Sequence, residues 1–305
     1  MFDVILPGTG GTMPLTNRWL ATAYLRYDGH SILIDCGEGT QIALRACGCT
    51  LKPIDTLLLT HFHADHVSGL PGLLLSMGND GRTEPLTILG PPGCERVVSA
   101  LRTIAPEIPF PIQVRELSGD EMTYQHGGVE IKAFPVRHNT VCYGYRFHIP
   151  RAGKFDPNRA KAAGVPLAVW SRLQKQAIVE YEGAEYRQEQ VMGPPRKGLR
   201  VCYAVDSRPC QSIAANAQDA DLMICEGMFG EADKADRAKQ TGHMLMTQAA
   251  RLAAQANAKA LLLTHYSPSM PAPEEFLQDV RAIFPQASCG TDGMHLVLRF
   301  PEEEQ

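Results

Sequence analysis

Between residues 56 and 66 the chain reads Thr-Leu-Leu-Leu-Thr-His-Phe-His-Ala-Asp-His. The apolar run that ends at Thr60 predicts a short buried strand, and the polar residues after it predict a tight turn. Three imidazoles and one carboxylate then lie within six residues, from His61 to His66. These donor types suit Zn²⁺ or a similar divalent ion. The stretch therefore predicts a strand of an α/β protein that ends in a metal site.

Three more ligand-type side chains follow apolar segments later in the chain, namely His138, Asp206 and His265. In layered α/β folds the carboxyl ends of the strands meet at one edge, where sites are built. We therefore expect two ion sites there, one held by His61, His63 and His138, the other by Asp65, His66 and His265, with Asp206 as a bridge. Two ions about 3.5–4 Å apart can orient one hydroxide and stabilise both oxygens of a displacement at phosphorus.

Other residues of ligand type lack this placement. Four histidines are interpreted as structural or surface residues: His30, His126, His148 and His295. Cys47 and Cys49 have a metal-like spacing, but no second cysteine pair lies near them, so we interpret them as incidental. Cys36 is predicted to be a packing residue.

Composition narrows the class of protein. The 305 residues are 44% hydrophobic and 20% charged, which excludes a disordered chain, a collagen-like chain and a coiled coil. No run of about 18 apolar residues occurs, so no membrane span is expected. Residues 1–8 predict a strand rather than a signal peptide. The nine cysteines are scattered and odd in number, which is typical of a reducing compartment, and we predict a cytoplasmic location.

Strands alternate with helices in both halves of the sequence. Strands are predicted at 3–6, 22–27, 31–35, 56–60, 86–89, 129–136, 143–149, 200–205, 222–225, 260–264 and 295–300, and helices at 38–46, 68–76, 93–104, 158–163, 167–176, 246–256 and 273–283. This order predicts one layered α/β (α+β) domain over residues 1–305, interrupted by an insertion at 150–195.

The insertion is basic. From Arg146 to Arg200 there are 11 Lys and Arg against 5 Asp and Glu, whereas the rest of the chain holds 18 against 28. A basic segment on an acidic body is a candidate contact for a polyanion, and a solvated insertion of chance composition is the alternative.

The pattern His61-x-His63-x-Asp65-His66, with later ligands at strand ends, resembles the metallo-β-lactamase superfamily. The resemblance implies an αββα sandwich with a dinuclear site at one edge. Ala64 stands where the diiron flavoprotein branch has a carboxylate, which favours a hydrolytic branch.

Within that superfamily the chain is most similar to the ribonuclease Z family, nearly from end to end. The similarity is carried by residues 8–11, 35–41, 61–74, 143–145 and 194–198. It implies that His243, 22 residues before His265, is a catalytic histidine with Glu226 as its acidic partner. Asp65 is implied to orient or deprotonate the attacking water while it also ligates metal, and His243 to protonate the leaving oxygen.

The resemblance also implies a substrate, cofactors and an assembly. It implies removal of the 3′ trailer from tRNA precursors with two Zn²⁺ per chain, for which Mn²⁺ and Fe²⁺ are alternatives. Residues 150–195 are similar to an exosite arm that grips the tRNA elbow, and in short family members the arm of one subunit serves the site of the other, which implies a homodimer. Lys and Arg contacts to phosphate give affinity without reading sequence, and the candidates are Arg151, Lys154, Arg159, Lys161, Arg172 and Lys175.

Several positions depart from the family pattern. Ser207 replaces threonine after the bridging aspartate, Met244 and Leu245 replace a Ser/Thr pair, Ser269 stands where an arginine is usual, and the Gly-Pro signature of the arm is reduced to residues 164–167. Two alternatives therefore stay open. One is a phosphodiesterase of the same fold that acts on a small or cyclic nucleotide diester. The other is a non-catalytic RNA-binding module, which should not bind two ions.

Overall fold

The computed structural model describes residues 1–119 and 121–301. Strands β1 to β16 are Phe2–Gly8, Thr22–Tyr27, His30–Ile34, Ile54–Leu58, Leu86–Gly90, Ile112–Glu116, Met122–His126, Val129–Pro135, Tyr143–Arg151, Ile178–Tyr181, Ala184–Arg187, Arg196–Ala204, Leu222–Glu226, Leu261–Thr264, Ala287–Cys289 and Met294–Leu298. Helices α1 to α10 are Thr40–Ala46, Ala64–Val67, Leu70–Asn79, Cys94–Arg102, Pro157–Ala162, Trp170–Leu173, Gln211–Asn216, Ala235–Thr241, Met246–Gln255 and Leu277–Ile283. Within the described ranges, every helix is too short or too polar to cross a membrane.

Two mixed seven-stranded sheets carry the fold. The first has the order β16-β1-β2-β3-β4-β5-β6, and the second has the order β15-β14-β13-β12-β9-β8-β7. β3 to β6 run parallel in the first sheet, and β12 to β15 run parallel in the second. Parallel neighbours need crossover connections, which place helices over the sheet and make the strands apolar throughout. The carboxyl ends of the parallel strands then share an edge in each sheet.

Helices cover one face of each sheet. In β3, Leu33 packs in a cluster with residues of α1, α3 and α4, while its buried neighbours Ile32 and Ile34 point to the other face. Residues of β12 to β14 pack in the same way against α7, α9 and α10. The hydroxyl of Tyr145 in β9 donates to the backbone oxygen of Leu59 after β4, at 2.6 Å, and so links the two sheets. The layers are helix, sheet, sheet, helix, and the predicted αββα sandwich is confirmed.

The differences from the predicted elements are local. The helix predicted at 167–176 is a 3₁₀ turn, Leu167–Val169, followed by the single turn of α6. β6 and β7 were not predicted, because both are edge strands whose residues are only partly buried or exposed. Such strands lack the continuous apolar run that marks a central parallel strand.

The described chain divides into two compact units. The first comprises residues 1–148 and 200–299, and the second comprises 149–199 with Phe300 and Pro301. The second unit has a small core of its own, in which Val169, Leu173 and Val191 are buried. At its first helix the Asp156 carboxylate accepts the backbone N–H of Asn158 and Arg159, at 2.9 and 3.0 Å, as an N-cap does.

Candidate metal centre and active site

The candidate ligands sit where parallel strands end. His61 follows β4, Asp206 follows β12 and His265 follows β14. Asp35, directly after β3, joins them, and Asp35, Asp206 and His265 have φ of 62°, 52° and 57°. This left-handed region is rare for residues other than glycine, and strained backbone of this kind clusters at functional sites.

The first group consists of His61, His63 and His138, whose ligand nitrogens lie within 4.8 Å of one another. Nδ1 of His63 and Nε2 of His138 face each other at 3.2 Å. His61 is fully buried, and its Nε2 has no hydrogen-bond partner among the described residues. Burial, with the adjacent charge of His66, lowers the pKa of His61 to about 2. A buried neutral nitrogen without a partner fits a metal ligand, which must offer a free lone pair.

The second group consists of Asp65, His66 and His265. Oδ2 of Asp65 lies 3.4 Å from Nε2 of His66 and 3.7 Å from Nε2 of His265. The same oxygen accepts the backbone N–H of Thr12 at 2.7 Å. Burial raises the pKa of Asp65, but the contacts with His265 and His66 outweigh it and hold that pKa below its usual range. The carboxylate is therefore ionised at neutral pH.

Asp206 lies between the two groups. Its Oδ2 is 3.2 Å from Nε2 of His66 and 3.1 Å from Nε2 of His265. Its Oδ1 is 4.0 Å from Nε2 of both His61 and His138. One oxygen thus faces each group, which is the arrangement of a carboxylate that bridges two ions. Imidazole and carboxylate donors of this kind fit Zn²⁺.

Partners behind the ligands orient their rings. Oδ2 of Asp35 accepts from Nδ1 of His66 at 2.8 Å, and the carbonyl oxygen of Gly242 accepts from Nδ1 of His138 at 3.0 Å. Thr60 donates both its N–H and its hydroxyl to Asp35. Metal-bound histidines usually donate their second N–H in this way, which fixes the tautomer. Sequence reasoning did not assign Asp35 to the site, although its position after an apolar strand is the signal that found Asp206 and His265.

The glycine-rich loop at 8–11 packs against His265. The N–H of Gly11 donates to the carbonyl oxygen of Tyr266 at 2.9 Å, and the N–H of Tyr266 donates to Thr9 at 2.9 Å. A Cβ on Gly11 would lie 2.6 Å from Cε1 of His265. Only glycine therefore lets the loop approach the imidazole this closely.

His243 and Glu226 form a pair beside the ligands. Glu226 is the buried last residue of β13, and its Oε2 lies 3.2 Å from Nδ1 of His243. The ring centroid of His243 is 5.1 Å from that of His138 and 5.6 Å from that of His265. Burial lowers the pKa of His243, but the Glu226 carboxylate outweighs it and raises that pKa to about 9. The imidazole is therefore protonated at neutral pH and able to donate a proton.

The residues that depart from the family pattern make hydrogen bonds or apolar contacts within the fold. The Ser207 hydroxyl accepts from the N–H of Arg137 at 3.0 Å. Met244 and Leu245 are buried in apolar clusters. The hydroxyls of Ser267 and Ser269 lie 2.8 Å apart.

The six candidate phosphate-binding residues all lie in the second unit. Lys154, Arg159, Lys161, Arg172 and Lys175 are exposed. Arg151 is half-buried, and its guanidinium donates to the carbonyl oxygen of Pro301 at 2.9 Å and lies 5.0 Å from the Phe300 ring centroid. Arg151 therefore holds the chain at 300–301.

The nine cysteines are all free thiols. Burial raises the pKa of Cys49 to about 11, with a contribution from Cys47, so this thiol is protonated and a poor nucleophile. Burial also raises the pKa of Cys36 far above its usual range.

Comparison with known proteins decides the family. The metallo-beta-lactamase superfamily model matches residues 17–146. A ribonuclease Z of Agathobacter rectalis is 51% identical over 99% of this chain and 100% of its own length. A ribonuclease Z of Clostridium acetobutylicum is 40% identical over 98% and 99%. This chain belongs to the ribonuclease Z family. It is therefore a metal-dependent hydrolase of the endoribonuclease type, and the small-diester alternative is not favoured.

The solved structures agree on the fold. The short form of human tRNase Z matches with a TM-score of 0.70 at 22% identity, over 98% of this chain and 100% of that one. A likeness at this identity shows a shared αββα architecture.

Proposed function

We propose that this chain cuts the 3′ trailer from tRNA precursors at the centre formed around Asp206. The observation that carries the proposal is the placement of Oδ1 of Asp206 toward one ligand group and Oδ2 toward the other. Two divalent ions, proposed to be Zn²⁺, would activate a water molecule and stabilise charge on the phosphate oxygens. Full-length similarity to ribonucleases Z supports the choice of substrate.

The protein supplies orientation and protons. Asp65 is ionised and fixed by the N–H of Thr12, so it can accept a hydrogen bond from the attacking water and align it on phosphorus. His243 is held by Glu226 and can donate a proton to the departing 3′ oxygen, a contribution of about 10²–10⁴-fold. The products would be a 3′-hydroxyl on the tRNA and a 5′-phosphate on the trailer.

The second unit is the proposed RNA contact. Five exposed cations on it can bind backbone phosphates without reading base sequence. The family resemblance supports a homodimer in which this arm serves the partner's site. The nine free thiols are consistent with a cytoplasmic location.

The deciding experiment supplies a tRNA precursor with a 3′ trailer to metal-loaded protein, with Asp65→Ala as the control and a bis(aryl) phosphate in parallel. A single cut next to the discriminator base, absent in the control, supports the proposal. Turnover of the small diester with an untouched precursor would overturn it.

Reversing the charge of three residues tests whether the second unit, the arm, binds RNA. Replacing Arg159, Lys161 and Lys175 by Glu should raise the KM for the precursor and flatten its salt dependence, because fewer phosphates are contacted. Turnover of the bis(aryl) phosphate should not change. Equal losses on both substrates would contradict a role in RNA binding.

A further inference from the structure

A second set of metal-ligand side chains lies at the amino ends of the strands that lead to the active site. His30 is the first residue of β3 and Asp55 the second of β4, whereas Asp35 and His61 follow the carboxyl ends of these strands. His126, the last residue of β7, completes the set. At about 3.3 Å per residue along a strand, this amino-end cluster lies roughly 15–20 Å from the active site.

We propose that the amino-end cluster of His30, Asp55 and His126 binds one divalent transition-metal ion of the Zn²⁺ type, separate from the active-site ions. One ligand atom from each residue lies within 4.8 Å of the other two. Two imidazoles and a carboxylate are a set of three protein ligands that leaves a fourth position for water. The proposal does not depend on the function proposed above.

The donor atoms already converge. Nδ1 of His30 lies 2.7 Å from Oδ2 of Asp55, and Nε2 of His126 lies 2.7 Å from Oδ1. In a tetrahedral site with bonds of about 2.0–2.1 Å, ligand atoms are roughly 3.3 Å apart. Side-chain shifts of about 1 Å therefore suffice to admit an ion between the carboxylate and the two rings.

Binding requires a change in where the protons lie on the two rings. An ionised carboxylate only accepts hydrogen bonds, so without metal the protons lie on Nδ1 of His30 and Nε2 of His126. A metal needs lone pairs at those atoms, and each neutral imidazole supplies one by moving its proton to its other nitrogen. The side chain of His30 is 42% exposed, which gives an ion a route from solvent and room for a water ligand.

The surrounding chain holds both rings in place. Gly127 has a φ of 54°, and a Cβ on it would lie 2.3 Å from Cδ2 of His30. The turn between β7 and β8 thus leaves room for the imidazole only because this residue is glycine. On the other side, the ring of Tyr124 stacks parallel to His126 with centroids 5.9 Å apart.

An ion at this position would join the two sheets. His30 and Asp55 belong to the first sheet and His126 to the second. Two guanidinium groups oppose binding of a cation. Arg82 is buried close enough to interact with Asp55, and Arg115 lies 5.2 Å from the Tyr124 ring centroid. We therefore expect the amino-end cluster to bind more weakly than the active site.

The chain offers a matched control. His295 and Asp3 also form a histidine–carboxylate pair, at 2.8 Å. Their third neighbour is Arg26, at 3.2 Å from Asp3, which cannot ligate a metal. This pair should bind no ion.

The test is equilibrium dialysis of the full-length protein against Zn²⁺ at pH 7.5, with bound metal counted per chain. The wild type and His295→Gln should each bind one ion more than His30→Asn and His126→Gln. Loss of one of three ligands should weaken that ion's binding by more than about 100-fold, beyond the cost of losing an outer partner. Thermal unfolding in chelator verifies that each variant is folded.

A pH series gives a second readout. Affinity for the additional ion should fall as the pH is lowered, because protons compete with the metal for its ligands. Equal metal content in all four proteins would overturn the proposal, and so would an additional ion that survives both histidine substitutions. In either case the amino-end cluster is a carboxylate shared by two hydrogen-bonding histidines and no more.

Discussion

The amino and carboxyl ends of β3 and β4 carry the same residue types. The two ends differ in whether their imidazole nitrogens have hydrogen-bond partners. At the carboxyl ends, Nε2 of His61 is buried without a hydrogen bond from the described residues, and two imidazole nitrogens face each other at 3.2 Å. At the amino ends, each imidazole nitrogen that faces Asp55 has a hydrogen bond of 2.7 Å. The carboxyl-end site thus leaves buried ligand atoms without hydrogen-bond partners in the described part of the chain, as a metal site does, whereas the amino-end cluster is satisfied without an ion and would have to exchange two hydrogen bonds for metal bonds.

The backbone conformation also differs between the carboxyl and amino ends of these strands. Three residues of the active-site edge have left-handed φ values, namely Asp35, Asp206 and His265. None of the three residues of the amino-end cluster has a left-handed φ, although Asp55 stands at a register shift between β3 and β4. The packed sheets around the carboxyl ends can sustain this backbone strain. We therefore expect substitutions at the carboxyl ends to change turnover and metal binding, and substitutions at the amino ends to change stability.

Asp206→Asn should have the largest effect. Removing the charge between the two ligand groups leaves neither ion with its shared carboxylate, so turnover should fall by more than about 10⁴-fold, beyond the contribution of one proton donor. The measurement is precursor cleavage together with metal content. Asp55→Asn is the matched control at the other end of the strands and should retain turnover. Comparable losses of turnover in both variants would contradict the assignment of catalysis to the carboxyl ends of the strands.

His243→Gln should lower kcat by about 10²–10⁴-fold while both ions stay bound, because it removes a proton donor and not a ligand. A variant that keeps its metal and full activity would refute the role of His243. Metal analysis of the same samples separates this loss from loss of the centre.

Glu226→Gln should shift the pH profile. Burial lowers the pKa of His243 and the Glu226 charge raises it, to about 9, so the imidazole stays protonated through neutral pH and loses its proton as the pH rises further. Without that charge the pKa of His243 falls. The alkaline limb of kcat should then move to lower pH than in the wild type. An unchanged limb would show that His243 is not the group that titrates.

Asp35→Asn should have an intermediate effect. Its carboxylate accepts from Nδ1 of His66 at 2.8 Å, and loss of such an outer partner typically lowers metal affinity by about 10–100-fold. Competition with a chelator measures the change. Thr22→Ser, a buried position near the same loop, is a control that should leave metal affinity unaltered.

The sequence predicted the residues of one end of the strands and not the other, for a topological reason. Carboxyl ends of parallel strands share an edge, so the positions of Asp206 and His265 after apolar segments suffice to group them. His138 also follows an apolar segment, although its strand β8 pairs antiparallel with β7 and β9. Asp35 met the same criterion but was not assigned. The amino-end cluster depends on how the two sheets pack and on β7, an edge strand whose five residues alternate between partly buried and exposed and lack a continuous apolar run.

Asp55→Asn in the presence of a chelator should have the smallest effect of these substitutions, and the property it changes is the free energy of unfolding. Burial raises the pKa of Asp55, but hydrogen bonds from His126 and His30 outweigh it and hold that pKa below its usual value. A lowered pKa in the folded state stabilises the protein above the unfolded pKa of about 4, and this stabilisation is lost as the pH falls through the folded value. Because the carboxylate is partly exposed, the substitution should reduce the free energy of unfolding at pH 7 by about 1 kcal/mol or less.

Urea unfolding at pH 7 and at pH 3 checks this prediction. The difference between wild type and Asp55→Asn should shrink toward zero at the lower pH, since the wild-type carboxyl is then increasingly protonated. In Zn²⁺ at pH 7 the difference should widen, because only the wild type retains all three ligands and binding to the folded state adds to its stability. If the difference in free energy of unfolding between the wild type and Asp55→Asn is the same with and without Zn²⁺, the amino-end cluster holds only hydrogen bonds. Metal binding would then be confined to the carboxyl ends of the strands.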